Sequence, residues 1–282
     1  MIQVNRANFE EIYDSADSFY QSFWDSEGSL HWGYFEDPHS TTVPIEEFPL
    51  ACKRWNEYML ERSQITGNSR VLDVGCGNGN TAIWLAQETG CEVVGIDLSG
   101  VRINNAKVKA QEHPSLKISF EKASATELPF EEGSFTHVWS QATIYHIYER
   151  QEALRELYRT IAKGGFLVFD DLITPIPIEK ISETSRKWVY ERIHFQPLFS
   201  GESYVDFLEE IGFKVWEAEY LSAHYKTTYQ LVCEKAKAYI SQVKASPGDS
   251  AGGLPDINAY EKMCAAISGR ELGCYFYLCQ KT

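Results

Sequence analysis

The chain has 282 residues, 44% of them hydrophobic, enough to bury one large α/β core with an appended element or two. A total of 40 Asp and Glu against 26 Lys and Arg leaves a formal net charge of -14 with no basic cluster, which argues against a nucleic-acid partner and for a small molecule. No stretch approaches the roughly 18 apolar residues of a membrane span, and Met1 to Glu11 lacks a basic start followed by an apolar run, so a cytoplasmic location is expected. The cysteines at 52, 76, 91, 233, 264, 274 and 279 are scattered without a C-x-x-C pair and read as reduced thiols, and no metal site is expected.

In chain order, residues 8–64 carry aromatic and acidic side chains in a helix-like pattern interrupted by Gly28, Gly33, Pro38 and Pro44. They read as an N-terminal helical cap, residues 1–65, ahead of a core at 66–282. Strand and helix then alternate: strand 70–74, helix 80–89, strand 92–97, helix 100–112 opening at Ser99, strand 117–121, strand 135–140, helix 151–162 and strand 166–171. Such alternation builds a parallel sheet whose ligands sit at the carboxyl ends of its strands. Leu154, Leu157, Tyr158 and Ile161 line one face of helix 151–162, and Gly164-Gly165 is expected to stop it. After Pro175 and Pro177 come an aromatic segment, a helix near 201–211 ended by Gly212, and a strand at 213–219. Helical lid insertions are expected at about 172–198 and 222–270, the second holding the Ser246–Gly253 loop, before a last strand near 273–280.

The residues that carry chemistry sit at the first strand. Val71-Leu72-Asp73-Val74-Gly75-Cys76-Gly77-Asn78-Gly79-Asn80 reads as a buried strand, a glycine turn and a helix start, answered 18 residues beyond Gly79 by a second strand ending on Asp97. Alternating glycines let a backbone pass close beneath a bulky ligand, and an acid at the next strand tip can accept hydrogen bonds from a ribose. A dinucleotide site wants G-x-G-x-x-G, whereas the spacing here is G-x-G-x-G with Asn80 in the third place. Asp73 would also repel a pyrophosphate, while a cationic ligand would be welcome beside it.

These motifs resemble the class I S-adenosylmethionine-dependent methyltransferases. Lys122 to Phe130 looks like the family's adenine loop, Ser134 to Gln141 like its fourth strand, and Leu154 to Asp170 like its helix, glycine turn and fifth strand. The resemblance implies a Rossmann-like, seven-stranded, mostly parallel sheet with an N-terminal helical cap and helical lids, and S-adenosylmethionine as cofactor. It further implies that Asp73, Gly75, Gly77 and Gly79 hold the amino-acid moiety, Asp97 the ribose and Leu98 the adenine edge, with Ala125, Thr126 and Gln141 also on the cofactor.

The loop Trp139 to Tyr148 narrows the resemblance towards sarcosine/dimethylglycine, glycine/sarcosine and phosphoethanolamine N-methyltransferases, as do Ile12 to Trp24, Leu30 to Tyr34 and Ala223-His224-Tyr225. By that resemblance Tyr13 and His146 form a latch that assists proton handling. Tyr20, Trp24, Tyr145 and Tyr225 are candidates to offer aromatic faces to the substrate. Where such relatives commonly have an Asp, this chain has Ala142. The expected activity is methylation of a small molecule, first of an amine such as glycine, sarcosine or dimethylglycine. O- or C-methylation of a natural-product or lipid-like acceptor, a catalytically silent cofactor-binding protein, and an NAD(P)-dependent oxidoreductase stand as alternatives. The sequence leaves a homodimer open.

Overall fold

The computed structural model describes residues 32–40, 42–245 and 255–282. Tyr13, Tyr20 and Trp24 lie outside the described residues, as do residues 1–31 of the expected cap. Its described part is a strap at 32–40 and helix α1, Glu47–Ser63. The core then runs β1 (Arg70–Val74), α2 (Asn80–Thr89), β2 (Glu92–Asp97), α3 (Gly100–Ala110), β3 (Ile118–Lys122), β4 (Phe135–Ser140), α4 (Arg150–Thr160) and β5 (Ile161–Ile173). After irregular helical turns at Ile178–Lys180 and Glu183–Ser185 to Arg186–Tyr190 come α5 (Gly201–Glu210), β6 (Phe213–Tyr220), α6 (Ser222–Ala245), α7 (Ile257–Ser268) and β7 (Gly273–Lys281).

One seven-stranded sheet has the order β3-β2-β1-β4-β5-β7-β6, and only β7 runs antiparallel to its neighbours. Val71 to Val74 are all buried, as a strand covered on both faces requires. The order reverses between β1 and β4, so their carboxyl ends open a crevice, and there the glycine turn and the loop after β4 emerge. Local signals agree with the helix starts. Ser99 accepts from Arg102 N at the head of α3, Ser200 and Ser203 form a capping box on α5, and Asp256 accepts from Ala259 N on α7.

One boundary differs from the sequence reading. Gly164-Gly165 does not stop a helix but lies inside β5, because the chain passes from Thr160 directly into a strand pairing at Phe135↔Ile161. The register shifts between Phe135 and His137, and the glycines absorb it: Gly164 has φ +83, and a Cβ on Gly165 would stand 2.4 Å from Thr136 O.

The strap is sewn between α1 and α6. Gly33 N donates to Thr228 Oγ1 (3.0 Å), Tyr34 N to Ala51 O (2.8 Å) and Phe35 N to His224 Nδ1 (3.0 Å). The Tyr34 ring stacks between Tyr58 (4.7 Å) and His224 (4.2 Å). Helices α6 and α7, the expected second lid, pack on one another through Tyr229 and Tyr260 (6.2 Å).

Candidate active site

The glycine elbow is tied to the end of β2, with Gly75 N and Cys76 N both donating to Ile96 O (2.8 and 2.9 Å). All three glycines have positive φ: +75, +53 and +81 at positions 75, 77 and 79. Their surroundings separate their roles. A Cβ on Gly75 would lie 2.2 Å from Thr143, and one on Gly79 would lie 2.7 Å from Phe120, so both serve close packing. A Cβ on Gly77 would meet only a guanidinium nitrogen of Arg102, at 4.0 Å, so that side of the backbone borders open space.

Two carboxylates bracket the elbow. Asp97 Oδ2 accepts from Gly77 N (3.0 Å) and its Oδ1 from Ser99 N (2.8 Å). Asp73 is 3% exposed, and its Oδ2 is buried with no hydrogen-bond partner. Burial, followed by the charge of Asp97, pushes its carboxyl from 3.8 up to about 7. A buried acid of this kind is costly unless a cation meets it.

Beyond Asp97, Leu98 is 48% exposed at the rim, and Ala123 N donates to Asp97 O (3.2 Å), which places the 123–128 loop beside the second acid. In that loop Ala125 is buried and Thr126 pairs with Ser124 through their hydroxyls (2.8 Å). Gln141 bridges elements: its Nε2 donates to Asn56 Oδ1 of α1 (2.8 Å), and its Oε1 accepts from Thr81 Oγ1 of α2 (3.1 Å).

The loop after β4 carries His146. Its Nδ1 lies 2.8 Å from Ile193 O, so Nδ1 holds the proton and Nε2 is the basic nitrogen. Burial drives the imidazole from 6.5 to about 3, and it stays neutral across physiological pH. Tyr145 packs its ring 3.9 Å from His146 and stacks on Trp32 (6.2 Å). Trp32 meets Trp55 (5.8 Å) and Tyr225 (4.7 Å) edge-on. Tyr225 is 0% exposed, a position that supplies packing under the aromatic wall. The loop is anchored by Arg150, which donates to Tyr145 O (3.1 Å) and Gln196 O (3.3 Å) and pairs with Asp171 (3.5 Å).

Sequence reading missed Arg102, Thr143 and Asp170. Asp170 is fully buried, accepts from Ala142 N (2.7 Å) and Trp55 Nε1 (2.8 Å), and is pushed by burial from 3.8 up to about 8. The available signal was the Asp170-Asp171 doublet at a strand end. Neighbours on a strand face opposite ways, and these two serve Trp55 on one face and Arg150 with Tyr204 on the other. Among the described residues no cluster of three or more His, Cys, Asp or Glu could hold a metal ion, and no helix is long and apolar enough to cross a membrane.

Comparison with known proteins agrees with this geometry. The family profile described as a methyltransferase domain matches residues 72–169. The sarcosine/dimethylglycine N-methyltransferase of Halorhodospira halochloris is 30% identical over 204 residues, 71% of this chain and 69% of that protein. An O-methyltransferase of Pyrenophora dematioidea is 30% identical over 202 residues, 70% and 72% of the two chains. The methyltransferase GfsG of Streptomyces halstedii is 32% identical over 164 residues, and there the match spans only 57% of the relative's length. In fold, the solved structure of the [4+2]-cyclase SpnF superposes with a TM-score of 0.76 at 21% identity, covering 96% of this chain and 95% of that one. The chain belongs to the class I S-adenosylmethionine-dependent methyltransferases. It is an enzyme of that class, acting on a small molecule with S-adenosylmethionine as cofactor.

Proposed function

We propose that the enzyme methylates a hydroxyl oxygen of a bulky, largely apolar small molecule. The residues present fit the cofactor: an orphaned buried carboxylate oxygen on Asp73, a second acid at Asp97, and the open backbone of Gly77 between them. Asp73 and Gly77 would hold its amino-acid end, with Gly75 and Gly79 shaping the elbow by close packing, and Asp97 its ribose, with Leu98, Ala125 and Thr126 about the base. Gln141 acts from behind by joining α1 and α2. When bound, the cofactor supplies a methyl carbon activated by positively charged sulfur.

The chain's own groups do the rest. Trp32, Trp55 and Tyr145 exclude water that would compete for the methyl group. His146 Nε2 accepts the hydroxyl proton as the new carbon–oxygen bond forms. An imidazole of low basicity suffices for this, because an oxygen gaining a methyl group becomes a strong acid.

The observation that carries the oxygen reading is the pair Ala142 and Asp170. Where an amine-contacting carboxylate would stand there is a methyl group, and the acid beneath it is fully buried with both oxygens committed to Ala142 N and Trp55 Nε1. A second reading, N-methylation of an amine such as glycine, sarcosine or dimethylglycine, draws on the 30% identity to the sarcosine/dimethylglycine enzyme and on aromatic faces able to meet a cation. Labelled S-adenosylmethionine should be incubated with glycine, sarcosine, dimethylglycine and phosphoethanolamine, and in parallel with a panel of phenols and hydroxylated polyketides. Label transfer to hydroxyls and to none of the four amines is expected. Transfer to any of the amines would overturn the oxygen reading.

A further inference from the structure

The loop after β4 holds a conformation that its sequence does not favour. Ala142 has φ +49, in the left-handed region where a side chain crowds its own backbone. Its N–H is held by Asp170 Oδ1, while Asp170 Oδ2 accepts from the indole of Trp55 on α1. The next residue, Thr143, occupies the space a side chain at Gly75 would need, and its Oγ1 donates to Gln141 O (2.8 Å). A continuous chain of contacts therefore runs from the cap helix through Trp55, Asp170, Ala142 and Thr143 to the glycine elbow. Trp55 itself is fully buried, packed beside Trp32, Tyr58 and His224.

We propose that Asp170 is a positioning residue that clamps Ala142 in its left-handed conformation and thereby couples the cap helix to the elbow that seats the cofactor. The inference rests on the methyltransferase reading of that elbow. A carboxyl group suits the task because each of its oxygens can accept, protonated or not, and the two groups facing it are both N–H donors. An asparagine at 170 would turn its NH2 towards one of them, losing one bond and setting donor against donor. A glycine at 142 adopts φ +49 without a clamp.

The test uses S-adenosylhomocysteine and the full chain, with calorimetric affinity and melting temperature measured on each variant. Asp170→Asn is expected to weaken S-adenosylhomocysteine at least fivefold. Trp55→Phe, which removes the indole N–H and keeps an aromatic ring in the core, is expected to weaken it in the same direction though it lies on α1 and not on the elbow. The double variant should be no worse than Asp170→Asn alone, since both changes act through one carboxylate. Ala142→Gly in the Asp170→Asn background should recover the affinity to within threefold of wild type. A purely structural Asp170 would lower the melting temperature and leave the affinity of folded protein within twofold of wild type. That result, or failure of Ala142→Gly to recover any of the loss, overturns the proposal. Should Asp170→Asn not fold, Trp55→Phe with unchanged affinity does the same. Absence of binding by the wild type would instead count against the cofactor site itself.

Discussion

Thr143 fills the place that a side chain at Gly75 would need: a Cβ there would stand 2.2 Å from its Cγ2 and Oγ1. Gly75→Ala therefore combines a steric overlap with a left-handed φ of +75 and should destabilise the fold by about 3 kcal/mol or more. A Cβ at Gly77 would meet nothing beyond its chain neighbours closer than 4.0 Å, so Gly77→Ala should cost the fold only about 1 kcal/mol, from φ +53, while placing a methyl group against the ligand. Denaturant melts and cofactor titrations on the two variants should show opposite profiles, with the stability loss at 75 and the affinity loss at 77.

The Arg150–Asp171 pair is almost wholly buried, at 1% and 0% side-chain exposure, with Tyr204 Oη also donating to Asp171 (2.7 Å). Arg150→Met leaves a buried acid without its cation and should cost roughly 3–5 kcal/mol at pH 8. Burial pushes the Asp171 carboxyl up while Arg150 and Tyr204 pull it down, so without Arg150 it takes up a proton more readily. The loss should accordingly shrink at pH 5, which urea denaturation at the two pH values will read.

Burial lowers the His146 imidazole to about 3, so it is neutral from pH 5 upwards. Turnover should then show no histidine inflection between pH 5 and 8. His146→Ala should lower kcat by about 10²-fold or more with cofactor affinity preserved if Nε2 receives the proton. A histidine that only braces Ile193 would lower the melting temperature and leave kcat per folded molecule intact.

Asp97→Ala should weaken S-adenosylhomocysteine by about 1–3 kcal/mol through lost charge-assisted hydrogen bonds. Part of that loss arises at Gly77, whose N–H the carboxylate now holds. Asp97→Asn, which keeps one acceptor oxygen, should lie between wild type and alanine on the same calorimetric scale.

The architecture was legible because the signals were local. Hydrophobic strands such as Val71–Val74, the Ser99 cap and the glycine turn each specify their own element, and the observed bounds fall within a residue or two for most strands. Gly164-Gly165 misled because glycine serves a helix stop and a strand bulge equally, and only the pairing of Ile161 with Phe135 decides between them. The elbow and its acids were legible as a motif spread over 25 residues, Asp73 to Asp97. The clamp at Asp170 was not, since its partners Trp55 and Ala142 lie 115 and 28 residues away and meet only in the folded chain. Tyr225, expected near the mouth, lies buried for a related reason. An aromatic residue in a helical insertion can face inward or outward, and α6 turns this one against Trp32.

The central claim, that Asp73 and Asp97 flank an elbow built for a cationic ligand, is tested most directly by titrating S-adenosylmethionine calorimetrically into wild type and Asp73→Asn between pH 5.5 and 8.5. Asp73 rises from 3.8 to about 7 in the free fold, so the folded chain binds that proton more tightly than the unfolded one. Stability from this group therefore falls as pH rises from about 4 to 7, and a bound cation reverses the trend by expelling the proton. Wild-type affinity should drop by up to about tenfold per pH unit below 7, with proton release on binding, and level off above it. Asp73→Asn should be more heat-stable when free at pH 8, bind more weakly there, and lose this pH dependence. Wild-type affinity independent of pH, or an asparagine variant that binds as tightly at pH 8, would contradict the claim.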